Sequence, residues 1–169
     1  MTLVAQSDSP ATDAELLAFA QSMELVLVRA YDTAGPLLVT PAAVEAAGTF
    51  AEHHRAHAAA MAVASGGPPV AAPNRDLQAQ TLAGITVAKT ETQAIGALYE
   101  LEEHAAATYQ YVLEHLVSTA AIGQVAAVSP VEGQHAVVLG LLLHKEPKVL
   151  APAFQTHDGG YDTSRFPVA

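Results

Sequence analysis

Glu24 and Tyr31 recur as Glu102 and Tyr109, and His54 and His57 recur as Glu132 and His135, each counterpart 78 positions further along the chain. A carboxylate, a tyrosine seven residues later and an i,i+3 pair ending in histidine, repeated at one offset, read as two copies of one helical hairpin. Identity between the copies is otherwise weak; Val39, Ala42, Ala43 and Ala58 also match, but alanine pairs mean little in an alanine-rich chain. Two such hairpins packed about a pseudo-twofold axis bring the repeated polar residues to one level, where they can share a metal ion.

The chain is long enough for one domain, and with 51% hydrophobic residues among 169 it can bury a continuous core. Few aromatics, abundant alanine and few β-branched runs favour an all-α domain. No cysteine is present, which excludes disulfides, iron–sulfur clusters and thiolate zinc sites. A formal charge of −10 argues against nucleic acid and anionic membranes as partners and suits a cation. No charge-free apolar stretch reaches about 18 residues, so no membrane-spanning helix is expected. Met1 to Asp13 lacks the basic segment and apolar run of a signal peptide, so the expected location is cytoplasmic, with an exported form that has lost its leader left open.

Thr12-Asp13 is an N-cap signal for a first helix to about Thr33, and Gly35-Pro36 lies beyond its end. Thr40-Pro41 starts the second, with threonine as the cap and proline at the first helical position, and Ser65-Gly66-Gly67-Pro68-Pro69 stops it. Gly66 to Asn74 is a linker, followed by a weaker helical piece over Arg75–Lys89. A third long helix is expected over Glu91–Val117, and a fourth from the Ser118-Thr119 turn to about His144, kinked or split at Pro130. Short loops within each pair and a long linker between pairs give a four-helix bundle with one long crossover, spanning 12–145. An extended tail over 146–169 completes the chain, laid on the bundle or disordered.

Each long helix carries a seam with steps of three and four. The seams are Leu17, Ala20, Glu24, Leu27, Tyr31; Ala47, Phe50, His54, His57, Met61, Ala64; Ile95, Leu98, Glu102, Ala105, Tyr109; and Val125, Val128, Glu132, His135, Leu139, Leu142. All are apolar at both ends and polar in the middle, and seam positions face a bundle core. Each buried ion costs several kcal/mol even after relaxation. Arg29, Arg55 and Lys89 lie off the seams, so a bound cation is the economical partner for Glu24, His54, His57, Glu102, Glu132 and His135. Carboxylates and neutral imidazoles suit iron, manganese or zinc. Three carboxylates crowded together in low dielectric are expected to raise one another's pKa values.

Other residues have blander readings. Seven residues is two helical turns, about 10 Å, so neither tyrosine reaches the glutamate on its own helix. Both are read as core, with a ligand on the partner helix as their one chemical opportunity. His53, His104, His115 and His144 fall off the seams and are expected in solvent, as are Glu100, Glu103 and Glu114. His157 and the following Asp-Gly-Gly are read as a loop.

At these residues the chain resembles the ferritin-like superfamily, in which two helices each give a Glu and two others each give a Glu-x-x-His to a di-iron or di-manganese centre. Glu24 and Glu102 match the single glutamates, and Glu132-Gly-Gln-His135 matches one Glu-x-x-His. The spacing of Glu and Tyr, and Pro152-Ala153-Phe154 after the bundle, resemble the branch that includes desiccation-related proteins. The second helix departs from the pattern. It reads His54-Arg-Ala-His57, and Glu52 is two residues off the seam. Losing a bridging carboxylate weakens the case for two metals and makes a mononuclear site or a changed metal preference credible.

The resemblance implies a metalloprotein with a di-iron-type or mononuclear carboxylate–histidine centre. Its turnover would be oxidation of ferrous iron or reduction of oxygen or peroxide, that of an iron-dependent oxidoreductase. Glutamates would hold metal, histidines would cap it, and Glu132 would bridge; no catalytic residue is assigned. Storage in a mineral cage fits less well, because no short fifth helix is expected after the bundle. The alternative is a non-enzymatic stress-protective or interaction bundle with a degenerate site. A metal ion is the expected partner, with a homodimer left open.

Overall fold

The computed structural model describes residues 11–154 and 156–168, so most of the N-terminal stretch read for a leader lies outside the described residues. Four long helices, α1 (Asp13–Ala34), α2 (Pro41–Ser65), α4 (Glu91–His115) and α5 (Thr119–Leu142), form the bundle, with α3 (Arg75–Val87) in the crossover. Among the described residues there is no strand. Helix α1 packs on α2 and α4, and α5 packs on α4 and α2, so each hairpin lies against the other. The seam residues fill the centre; only Ala64, Leu142 and His57 are less than fully buried.

Helix ends follow local chemistry. Thr12 and Glu15 form a reciprocal capping box at the start of α1, and Gly66 ends α2 in the left-handed conformation at φ 66°. Thr40 departs from the expected cap: its side chain makes no capping bond to α2. Instead, the Val39 and Thr40 amides donate to Glu91 Oε1 at 2.7 and 2.8 Å. The opposite turn does the same, with the Val117 and Ser118 amides donating to Asp13 at 2.9 and 2.8 Å. Asp13 and Glu91, Val39 and Val117, and Thr40 and Ser118 are each related by the 78-residue offset. The two hairpins therefore exchange equivalent bonds, the first carboxylate of each holding the turn of the other.

Three further features have physical causes. Pro130 lies inside α5 without splitting it. It and Ala126 are exposed, so water replaces the hydrogen bond the proline removes. Helix α5 is long and apolar enough to cross a membrane, with a mean hydropathy of 1.4, because Glu132 is the lone charge in an otherwise apolar run. Here its inward side is a seam of the bundle. The tail, expected as extended chain, contains a four-residue helix, α6 (Pro147–Leu150), and a 3-10 turn, Thr163–Arg165.

The tail is also anchored. Leu150, Tyr161 and Phe166 are buried in the core. The Tyr161 amide donates to Thr108 Oγ1 at 2.8 Å, and the Thr81 hydroxyl lies 3.2 Å from the Tyr161 hydroxyl. The crossover is pinned by buried polar residues on α1, where Gln21 accepts from the Val70 amide and Ser22 from the Asn74 amide, both at 2.9 Å.

Gly160 brings the tail against the backbone of α4, where an added Cβ would lie 3.0 Å from Ala107 C and Thr108 N. A backbone wall cannot yield as a flexible side chain can. Gly160→Ala is therefore expected to cost about 1–3 kcal/mol by overpacking and to lift the tail. Gly123→Ala, on an exposed turn of α5 with nothing within 4 Å, should instead gain roughly 0.5–1 kcal/mol from helix propensity. Denaturant melts of the two variants should move in opposite directions, and amide exchange at Tyr161 should rise only in the first.

Candidate metal centre

Helix α1 supplies Glu24, α2 His54 and His57, α4 Glu102, and α5 Glu132 and His135. Glu24, His54, Glu102 and Glu132 are 0% exposed and His135 is 1% exposed, while the His57 side chain keeps 12%. The six residues that spacing places at one level do meet. His54 lies at their centre, with Nδ1 2.7 Å from Glu24 Oε2, Nε2 3.1 Å from Glu102 Oε1, and Nδ1 3.7 Å from Glu132 Oε2. His57 Nδ1 stands 2.8 Å from Glu132 Oε1 and 3.6 Å from Glu24 Oε1. His135 Nδ1 stands 3.5 Å from Glu102 Oε2 and 3.9 Å from Glu132 Oε2.

The tyrosines take the partner-helix option. Tyr31 on α1 donates to Glu102 Oε1 on α4, and Tyr109 on α4 donates to Glu24 Oε1 on α1 at 2.5 Å. Each glutamate thus has one oxygen held by a phenol; the other faces His54 on Glu24 and His135 on Glu102, whose phenol-held oxygen also meets His54. Desolvation and the adjacent Glu102 push the Tyr31 pKa well above its usual value, and desolvation and Glu24 do the same for Tyr109, so both remain donors.

The decisive feature is what is left unpaired. His57 Nδ1, Glu102 Oε2, both oxygens of Glu132 and His135 Nδ1 are buried without a hydrogen-bond partner. Native interiors leave few such atoms, and each costs about 1–3 kcal/mol, more when charged. His57 Nδ1 and Glu132 Oε1 are close enough to bond but lie outside hydrogen-bonding angles. Donor atoms that crowd together without pairing are arranged as ligands around a common point are. They fall into two groups of four, Glu24, His54, His57, Glu132 and His54, Glu102, Glu132, His135, each with atoms within 4.8 Å of one another.

His53 is the residue that seam spacing misses. Exposed though it is, its Nδ1 lies 2.9 Å from His135 Nε2, and the two rings stack at 5.2 Å. Phe50 stacks on the same imidazole with centroids 4.0 Å apart. The available signal was the spacing 50, 53, 54, 57, a stripe wider than a strict seam. Glu52 is exposed and stays outside the cluster, and His104 and His157 bond Gly159 and Glu114 on the surface.

A family model described as a ferritin-like domain matches residues 12–145. The chain belongs to the ferritin-like family. Neither curated proteins nor solved structures yield a match to it. In this ferritin-like chain the buried His/Glu cluster is compatible with a metal site, and the donor chemistry, nitrogen and carboxylate oxygen without sulfur, fits iron, manganese or zinc.

Electrostatics within the cluster differ from the expectation that all three carboxylates rise. Desolvation would raise Glu24 and Glu102, but the imidazoles beside each, His54 foremost, outweigh it and hold both below the usual carboxylate range. Only Glu132 is raised, to about 8, by desolvation and then by Glu24. Desolvation opposes charging of His57, yet the adjacent Glu132 and Glu24 carboxylates raise it to about 9. His54 is likewise driven well above its usual value, with desolvation overcome by Glu102 and Glu24.

Without metal, the folded chain thus holds more protons than the unfolded chain at Glu132 between the ordinary 4.5 and about 8, and at His57 between 6.5 and about 9. Stability must fall as pH rises through that window. Glu24 and Glu102, lowered, add stability that is lost only on acidification below the carboxylate range. Chelator-treated protein should melt at a lower temperature at about pH 9 than at about pH 6.5. A flat or rising profile in those thermal melts would show that His57 and Glu132 do not share protons in the folded state.

Proposed function

We propose that the protein is a ferritin-like metalloprotein that binds transition metal, iron first and manganese or zinc as alternatives, through Glu24, His54, His57, Glu102, Glu132 and His135. The observation that carries this reading is the set of five buried donor atoms, drawn from three helices, that face one another without hydrogen bonds. A non-enzymatic bundle with a degenerate site has no use for that arrangement, because replacing such a cluster with apolar residues would often be neutral or stabilising.

Bound iron would supply one-electron chemistry toward oxygen or peroxide, with ferrous iron as the reductant. The chain's own residues do the rest. Glu132, raised toward neutrality of pH and touching both donor groups, is the carboxylate best placed to exchange a proton as metal arrives. Tyr31 and Tyr109 fix one oxygen each of Glu102 and Glu24, which orients the other oxygen inward and limits rearrangement of the pair. The aromatic wall of Phe50 and Tyr31 shields His135 and His54, while the part-exposed His57 marks the more open side.

Elemental analysis of protein purified without chelator or added iron should find transition metal bound to the wild type, and Glu132→Gln should lower its content. Ferrous iron added in air should then consume oxygen faster with wild type than with Glu132→Gln. Metal without oxygen consumption would leave a binding protein; a wild type free of metal, with melts indifferent to chelator, would return the fold to the non-enzymatic reading.

A further inference from the structure

His54 stands where the Glu-x-x-His pattern has a carboxylate, and it meets the two donor groups through different atoms. Nδ1 lies 2.7 Å from Glu24 Oε2 and Nε2 lies 3.1 Å from Glu102 Oε1. The two nitrogens of an imidazole diverge, so one faces the group containing Glu24 and His57 and the other the group containing Glu102 and His135. An N···O separation of about 3 Å is also the edge left between two ligands bound at roughly 2.0–2.2 Å to one cation. Tyr31 fixes the ring plane, stacked on it with centroids 5.4 Å apart.

Building on the metal-binding reading above, we propose that His54 is a bridging imidazolate, with one ring nitrogen on each of two divalent cations. Charge supports this choice. Two dications bring four positive charges against three buried carboxylates, Glu24, Glu102 and Glu132, and no other acidic side chain is buried among the described residues. A neutral His54 leaves one uncompensated charge in a core where an unpaired charge is strongly disfavoured. A neutral imidazole also has only one free lone pair, so it can serve a single cation. Release of its N–H proton to solvent frees the second lone pair and supplies the fourth negative charge. The four glutamates of the family pattern reach the same balance by carboxylates alone. No electron moves in this step, and N–H bonds are the only bonds broken in the ring: one from the neutral ring, two when the ring starts protonated on both nitrogens against Glu24 and Glu102.

An imidazolate holds its cations further apart than the about 3.5–4 Å usual in two-metal sites. It also couples their electron spins through the ring. Cupric ion is a suitable probe because nitrogen and oxygen sites favour it over the other divalent first-row ions. Metal-free protein would be titrated with cupric ion at about pH 8 under electron paramagnetic resonance, with binding counted by elemental analysis after desalting. Two ions per chain are expected, with the signal rising over the first equivalent and falling away over the second. His54→Gln, which keeps a polar group of similar reach but cannot bridge as an anion, should lose the coupling and give the full signal of isolated ions. Two ions whose signals simply add in the wild type, or a single ion per chain, would overturn the bridge while leaving the metal-binding reading standing. No bound copper would overturn both.

Discussion

Three carboxylates and two imidazoles are buried at one level of an apolar bundle, with the part-exposed His57 beside them and no lysine or arginine among the buried residues. That constraint organises the rest of the molecule. Each long helix must present its one or two polar groups at the same height, which sets the registers of α1, α2, α4 and α5 against one another more tightly than alanine-rich packing could. The phenols of Tyr31 and Tyr109 are drawn in to satisfy one oxygen each. Residual mismatch sits in the unpaired atoms of His57, Glu102, Glu132 and His135. A core that concentrates its polar cost at one level gains specificity of register, and the cost itself points to a bound cation as the missing partner.

The substitution at position 54 changes the balance without changing the geometry. A carboxylate there would complete a symmetric set; an imidazole makes the middle of the cluster a base as well as a ligand. It draws Glu24 and Glu102 down while leaving Glu132 high, so the three glutamates are chemically distinct. The surroundings are also unequal. His135 is enclosed by Phe50 and capped by His53, whereas the opposing His57 reaches solvent. The counterparts of Phe50 and His53 at the repeat offset are Val128 and Val131, so the asymmetry is written in the chain.

What could be read in advance was whatever depends on local pattern. The three-and-four steps of Leu17 to Tyr31 and Val125 to Leu142 locate the buried faces, and Thr12, Pro41 and Gly66 mark helix ends, because periodicity and capping act over one or two turns. What could not be read depends on partners distant in sequence. Thr40 looks like a cap until Glu91 is present, and Tyr161 looks like part of a loose tail until Thr108 and Thr81 receive it. His53 looks solvated until α5 brings His135 alongside. The upward shift expected of all three carboxylates holds for Glu132 and fails for Glu24 and Glu102 for the same reason, since crowding of like charges was visible and the central position of His54 was not.

The exchanged bonds between hairpins have a consequence for assembly. Asp13 holds the turn after α4, Glu91 holds the turn after α1, and each tyrosine serves the glutamate of the other half. None of these groups finds its mate within its own hairpin, so a hairpin alone would leave these acceptors and donors to water. The crossover adds proximity and its own contacts to α1, and the exchanged bonds between hairpins do not run through it. Each half is thus a template for the other, and a chain nicked between Gly66 and Asn74 would retain the exchanged bonds by which its two pieces identify one another.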